Sequence, residues 1–339
     1  MKPYITVGDR RIGEGHPTFV IAEVGINHDG SVDKAEKMID AAAETGADAV
    51  KFQTYVTESF VAAGNPLYGV FKANELSSPD DLRRLKRRAE ARGILFFSSS
   101  TDFYGLERLA AIDVPLYKLS SANLTNLPLM RKVAATGKPV IISGGGATLG
   151  EILATYEALV EAGANGVAVL KCTSLYPCPP EHANLNAITT LRQAIPAPVG
   201  YSDHTQGIAA AIGAIALGAC IIERHFTLDK GDKGHDHYFS ADPEEMAAMV
   251  DGVRMMEKML GSPVLGPVGD ETTFRREARR AIVAMQDIKA GEQIAAEKLS
   301  LCRPEDGGGG MSPDLIDHII GRTAQRDIKA GRSLHWADI

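Results

Sequence analysis

Apolar residues along the chain alternate between two rhythms. Short, nearly continuous apolar runs at 18–23, 47–52, 94–98, 116–120, 139–143, 166–172, 198–202 and 219–224 read as buried strands. The longer stretches between them repeat with helical spacing. Val32, Ala35, Ile39, Ala42 and Ala43 fall on one stripe of 32–47, which Gly46 brings to an end. Ser78 and Pro79 supply an N-cap and a first helical position for a helix that closes at Gly93. The longest uncharged apolar run, 208–222, is shorter than the ~18–20 residues a bilayer crossing needs and reads as a buried helix turning into a buried strand.

Eight strand–helix repeats in order, with strands apolar on both faces, predict a closed parallel (β/α)8 (TIM) barrel. An open doubly wound sheet is the competing arrangement, but its first turn usually carries GxGxxG, and here it reads EVGINHDG. The repeats span 18 to about 260, close to the ~250 residues the barrel requires. Residues 4–15 have the pattern of a short hairpin able to plug the barrel bottom. The pattern breaks over 261–280, which has the Gly, Pro and Arg content of a linker with an ion-pairing face. Beyond it, DIKAG at 287–291 recurs at 327–331. That echo predicts a small β-rich domain with internal pseudo-symmetry over 281–339, leaving 1–260 as the catalytic barrel.

Composition narrows the function classes. With 36 Lys and Arg against 43 Asp and Glu, the net charge of −7 gives no support to a nucleic-acid or anionic-membrane partner. Cys172, Cys178, Cys220 and Cys302 form no CxxC pair and are expected to be reduced thiols. The N-terminus lacks the apolar stretch of a signal peptide, so a cytoplasmic location is expected.

In such barrels the chemistry lies at the C-terminal strand ends. Those ends carry Glu23, Asn27 and His28; Lys51 and Gln53; 98–101, three serines and a threonine; Lys118, Ser120, Ser121 and Asn123; Ser143 and three glycines; Lys171, Thr173 and Ser174; Ser202, Asp203 and His204; and Glu223, Arg224 and His225. Three lysines among many hydroxyls around one mouth suit an anionic ligand such as a phosphate or carboxylate. His204 and His225 end adjacent strands ~4.8 Å apart and could share one metal ion, with Glu23 as a further ligand or as the group orienting its water. The HDH run at 235–237 could add another ligand.

These residues sit in segments that resemble the sialic acid synthases, more broadly the nonulosonic acid synthases. The segments are IAEVGINHDG from Ile21, GADAVKFQTY from Gly46, YKLSSANLTNLPL from Tyr117, KCTSLYPCP from Lys171, VGYSDHTQGI from Val199 and GACIIERHFTLDK from Gly218. The tail resembles the antifreeze-like (SAF) domain that ends these enzymes. The resemblance implies condensation of phosphoenolpyruvate with an N-acetylated hexose aldehyde, giving a nine-carbon 2-keto-3-deoxy acid and phosphate. It implies His204 and His225 as ligands of a divalent metal, usually Mn2+, and Glu23 as the carboxylate that handles the attacking water. Lys51, Ser99, Lys118, Ser121, Ser143 and Ser202 match the phosphoenolpyruvate cradle, and Gln53, Tyr176 and Asp236 the sugar contacts. Arg303 matches an arginine that reaches the acetamido group in a partner's barrel, which implies a domain-swapped homodimer. The chain departs from the family pattern at SSSTD (98–102), SGGG (143–146), Asn123 and RPEDGGGG (303–310). VGYSDHTQGI and TNLPL resemble legionaminic acid synthases and KCTS the pseudaminic branch, so N-acetylmannosamine and a 2,4-diacetamido-2,4,6-trideoxyhexose are both candidate sugars. Two other readings are a Schiff-base aldolase using Lys171, by analogy with other enzymes of this fold, and a glycan- or ice-binding protein.

Overall fold

The computed structural model describes residues 3–305, 307 and 309–339; Asp306 and Gly308, in the RPEDGGGG stretch of the sequence, lie outside them. Two compact units divide the chain, one ending at Gly261 and the other running Ser262–Ile339.

In the first unit, a hairpin of β1 (Tyr4–Val7) and β2 (Arg10–Gly13) precedes the barrel. The barrel strands are β3 (Phe19–Gly25), β4 (Ala49–Thr54), β5 (Leu95–Ser100), β6 (Tyr117–Leu119), β7 (Val140–Ser143), β8 (Val167–Cys172), β9 (Val199–Asp203) and β10 (Ile221–His225). Among the described residues these eight close into one parallel barrel, with β10 pairing β3. Each strand falls within two or three residues of its predicted run. The 32–47 stripe folds as a helix over Val32–Glu44 that buries Ala35, Met38, Ile39 and Ala42. The apolar run at 208–222 becomes a helix over Ala209–Ala216, a turn at Gly218, and then β10. Ser78 does precede the helix Pro79–Ala91, but its hydroxyl makes no cap bond; only its carbonyl accepts, from the Leu82 N–H.

Because side chains alternate along a strand, each barrel strand is amphipathic in a layered way. Outward residues such as Val20, Ala22, Val50, Phe52, Val140, Val169 and Tyr201 pack against the helices. Inward residues Phe19, Ile21, Ala49, Phe97, Leu116, Ile141, Ala168, Leu170 and Ile221 fill the lower barrel. Ile5, Val7 and Ile12 of the hairpin join this inner cluster and close the barrel bottom. The hairpin passes so close that a Cβ on Gly166 would sit 2.9 Å from the Ile5 side chain. Each fully buried aliphatic side chain here contributes about 1.5–3 kcal/mol. One step further up, the inward positions turn polar.

In the second unit, β11 (Ala281–Ala284) pairs antiparallel with β12 (Leu299–Cys302) over a small core that includes Ile282, Ile288, Ile294, Ile328 and Leu334. The repeated DIKAG turns pair with each other. Ile288 and Ile328 exchange backbone hydrogen bonds of 2.9 and 2.8 Å. Asp327 accepts from the Ala290 N–H and Asp287 from the Ala330 N–H, both at 3.0 Å. Lys289 pairs with Asp327 and Lys329 with Asp287. The predicted linker is not bare chain: Glu271–Ala278 within it forms a helix with no buried residue. The cysteines are free. Among the described residues, no helix is long and apolar enough to cross a membrane.

Candidate active site

Above the apolar floor, a cavity of about 310 Å³ opens at the C-terminal ends of the strands. Strand alternation carries Glu23, Lys51, Ser99, Lys118, Ser143, Cys172, Ser202 and Glu223 into it, with Gln53, His204 and His225 one layer higher. Ser121 and Tyr176 enter from the loops after β6 and β8.

The two lysines are held by buried carboxylates and hydroxyls. Lys51 Nζ lies 2.8 Å from Glu23 Oε2, 3.6 Å from Glu223 Oε1, and donates to Ser99 Oγ at 3.2 Å. Lys118 Nζ donates to Ser143 Oγ at 2.6 Å and lies 3.8 Å from Glu223. Ser202 donates to Glu223 at 3.0 Å, and Gln53 Nε2 donates to Glu23 Oε1 at 3.1 Å. Burial raises the Glu23 carboxyl, with Lys51 opposing. At Glu223 burial is outweighed by Lys118 and Lys51, which hold it below the usual range. Burial lowers Lys118, whereas Glu223 and Glu23 outweigh burial at Lys51 and raise it. Lys51 and Lys118 thus converge on carboxylates and hydroxyls at the bottom of one cavity, a preorganised setting for a multiply charged anion.

His204 and His225 face each other across β9 and β10 with ring centroids 5.3 Å apart. Tyr176 lies over His204 at 4.2 Å. His204 Nδ1 is 2.8 Å from the Thr173 carbonyl, which can only accept, so Nδ1 carries a proton; burial opposes a charge on the ring, but Cys172 and the Thr173 carbonyl prevail and raise His204 above the ordinary imidazole value. Burial, His204 and the nearby cations lower His225 well below the ordinary imidazole value, which keeps it neutral. His225 Nδ1 has no hydrogen-bond partner and lies 3.6 Å from Asp236 Oδ2, and Glu223 keeps one buried oxygen, Oε2, without a hydrogen bond. Two facing imidazoles, that of His225 neutral, beside unsatisfied buried polar atoms form a donor set that fits a divalent ion, which would displace the second proton of His204.

Several expectations change. Lys171 is on the other parity of β8: it donates to Thr173 Oγ1 and to the Ala183 carbonyl and sits over the Tyr201 ring, outside the cavity. The cavity therefore holds Lys51 and Lys118 but not a third lysine, and the Schiff-base reading loses its nucleophile. Asp203 and Arg224 face outward as a buried ion pair of 3.0 Å. His237 bonds Thr227 and Asp29 instead of joining the histidine pair. Asp29, Asp232 and His237 could together hold a cation, but the Lys34 ammonium already pairs with both aspartates. Arg303 is an exposed residue of the second unit whose Nε donates to the Ala278 carbonyl at 3.0 Å. Glu223, central to the charge network, is absent from the residues singled out by resemblance. Its place two residues before His225 on one strand, hence on the same face, is the signal that finds it. Phe60 and Phe71 also line the cavity, and no strand periodicity points to them.

Residues 38–264 match the model of the NeuB family, and 279–339 that of the SAF domain. An uncharacterized protein of Methanocaldococcus jannaschii is 44% identical over 99% of this chain and 98% of its own length. The N,N'-diacetyllegionaminic acid synthase of Legionella pneumophila is 36% identical over 96% of each chain. The crystal structure of N-acetylneuraminic acid (sialic acid) synthetase from Leptospira borgpetersenii, in complex with citrate, superposes with a TM-score of 0.77. It is 36% identical and is matched over 81% of this chain and 97% of that one.

Proposed function

Because the chain belongs to the NeuB family and ends in a SAF domain, we propose that its barrel condenses phosphoenolpyruvate with an N-acetylated hexose aldehyde. The sugar is N-acetylmannosamine or a 2,4-diacetamido-2,4,6-trideoxyhexose, and the products are a nine-carbon 2-keto-3-deoxy acid and phosphate. The observation that carries this reading is the convergence of Lys51, Lys118 and the Ser99, Ser143 and Ser202 hydroxyls in one cavity with the facing imidazoles of His204 and His225.

Lys51 and Lys118 neutralise the phosphate and carboxylate of the enol ester, and Ser99, Ser121, Ser143 and Ser202 supply hydroxyl donors. Carbon 3 of the enol bonds to the aldehyde carbon as water adds to carbon 2; Glu23 takes one proton from that water and returns it to the new alkoxide, which becomes a hydroxyl. The carbon 2 hydroxyl then gives its proton to the phosphate as the carbon 2–oxygen bond breaks and the ketone forms. Gln53, hydrogen-bonded to Glu23, keeps that carboxylate aimed. His204 and His225 would hold a divalent ion, Mn2+ in this reading, which when bound would supply Lewis-acid polarisation of the aldehyde. Tyr176 and Asp236, both beside His225, contact the sugar. Fixing both substrates face to face accounts for much of the rate gain. Arg303 is assigned to the sugar's acetamido group in a second copy's barrel, so the working unit is a domain-swapped homodimer. A cytoplasmic location agrees with the free thiols.

The test is phosphate release from phosphoenolpyruvate with each sugar. Release that is lost in EDTA and restored by Mn2+ is expected; no release with either sugar, or full activity in EDTA, overturns the reading.

A further inference from the structure

We infer that Phe60 and Phe71 form a specificity wall that receives the end of the sugar remote from its aldehyde and favours a methyl over a hydroxymethyl group there. This rests on the synthase reading and adds a choice among sugars that the shared chemistry leaves open.

The wall lies in the segment that follows β4. That strand sends Lys51 and then Gln53 into the cavity, after which the chain leaves the barrel and makes two short helices, Thr57–Phe60 and Tyr68–Ala73. Phe60 and Phe71 come from these helices, and both line the cavity. Their rings meet edge to face, with centroids 5.0 Å apart and planes at 81°. The barrel strands line the same cavity with charged, amide, hydroxyl, thiol and imidazole groups, so the reacting end of the substrate is held by polar contacts below. Its far end, emerging toward the loops, meets two phenyl rings that can neither donate nor accept a conventional hydrogen bond.

The wall is a built feature. Buried Tyr55 packs against both rings, at 5.4 Å from Phe60 and 5.5 Å from Phe71, and its hydroxyl donates to the Phe71 carbonyl at 3.0 Å. Glu75 clamps the segment by accepting from the Thr57 N–H and hydroxyl at 3.1 and 2.8 Å, and from the Ser77 hydroxyl at 2.9 Å. A methyl group placed there is removed from water against the rings. A hydroxymethyl group would lose its solvent hydrogen bonds without replacement. An apolar site discriminates such pairs by about 10- to 100-fold.

The experiment measures kcat/KM for phosphate release with N-acetylmannosamine and with its 6-deoxy analogue, which differ only at that terminus. The wild-type protein is expected to prefer the 6-deoxy sugar by about tenfold or more. Phe71→Ala is expected to bring the two sugars to near equality while the KM for phosphoenolpyruvate stays unchanged, and Phe71→Leu is expected to retain the preference. Should Phe71→Ala fail to fold, Phe60→Ala reports the same ratio. Equal use of both sugars by the wild type, or a preference untouched by both alanine variants, overturns the wall while leaving the synthase intact. Turnover of neither sugar overturns the wall, and the synthase reading falls with it only if the 2,4-diacetamido-2,4,6-trideoxyhexose releases no phosphate either.

Discussion

The Thr173 carbonyl fixes His204: the 2.8 Å bond to Nδ1 orients the ring, whose centroid lies 5.3 Å from that of His225 on β10. Orientation of a ligating imidazole through its other nitrogen is a common device of metal sites. Added Mn2+ is therefore expected to stabilise the wild-type protein, by about 2.7 kcal/mol at a hundredfold excess over Kd. His225→Ala removes the shift and abolishes phosphate release. A calorimetric scan of both proteins with and without the ion checks this; an undiminished shift in the variant places the ion elsewhere.

Lys51 and Glu23 form an ion pair with almost no exposure. Removing one partner leaves the other charge buried and uncompensated, at about 3–5 kcal/mol. Lys51→Ala is expected to lose that much in urea unfolding, and Lys51→Ala combined with Glu23→Ala to recover part of it. Additive losses contradict the coupling.

Gly145 gives the cavity wall its closeness. A Cβ there would lie 2.3 Å from Ser174 Oγ, 2.8 Å from Ser121 Oγ and 2.9 Å from Cys172 Sγ, while its N–H donates to Ser121 Oγ at 2.9 Å. Gly145→Ala is expected to displace Ser121 and raise the KM for phosphoenolpyruvate about tenfold, with Tm little changed. An unaltered KM contradicts the place of Ser121 in the anion site.

His28 is held at about 4 because burial penalises its charged form and Lys34 adds to the effect, with Asp29 opposing. Its folded value lies below the unfolded 6.5, so the unfolded chain binds the extra proton first. The stability contribution is full above pH 6.5 and is lost as pH falls toward 4, by about 3 kcal/mol. Glu75, at about 2, extends the same trend: burial raises it, but the Thr57, Ser77 and Lys72 donors prevail. Its contribution is present above pH 4.5 and is lost as pH falls toward 2, worth only about 1 kcal/mol for a partly solvated group. Urea unfolding from pH 7 to 4 should show the loss in the wild type and a flatter profile in His28→Gln; identical profiles contradict the assignment.

Arg303→Ala is expected to raise the KM for the sugar with little change in kcat or in the KM for phosphoenolpyruvate. Unchanged sugar kinetics contradict the role in a second copy's barrel.

Much of the architecture was legible because two periodicities dominate the chain. Nearly continuous apolar runs of five to seven residues mark strands buried on both faces, and the DIKAG echo marks the two turns that pair across the small domain. The polar layer was legible for a related reason: on β4 and β10 the parity that buries Ala49 and Ile221 also aims Lys51 and Glu223 inward. The same parity, followed along β8 from Ala168 and Leu170, already excludes Lys171, and following each strand in this way separates pocket residues from strand-end residues in general. Phe60 and Phe71 were not legible, because the helices that carry them, Thr57–Phe60 and Tyr68–Ala73, are too short to show a period and are placed by contacts across the segment, such as those of Tyr55 and Glu75. The helix Glu271–Ala278 was masked by the neighbouring glycines and prolines and by its lack of an apolar face.

The account is tested most directly by an anomalous difference map at the manganese edge, from crystals grown with Mn2+ and phosphoenolpyruvate. It predicts one strong peak bonded to His204 Nε2 and to His225, with the enol ester's phosphate against Lys51 and Lys118. No peak between those rings, or a peak only at Asp29, Asp232 and His237, would contradict it.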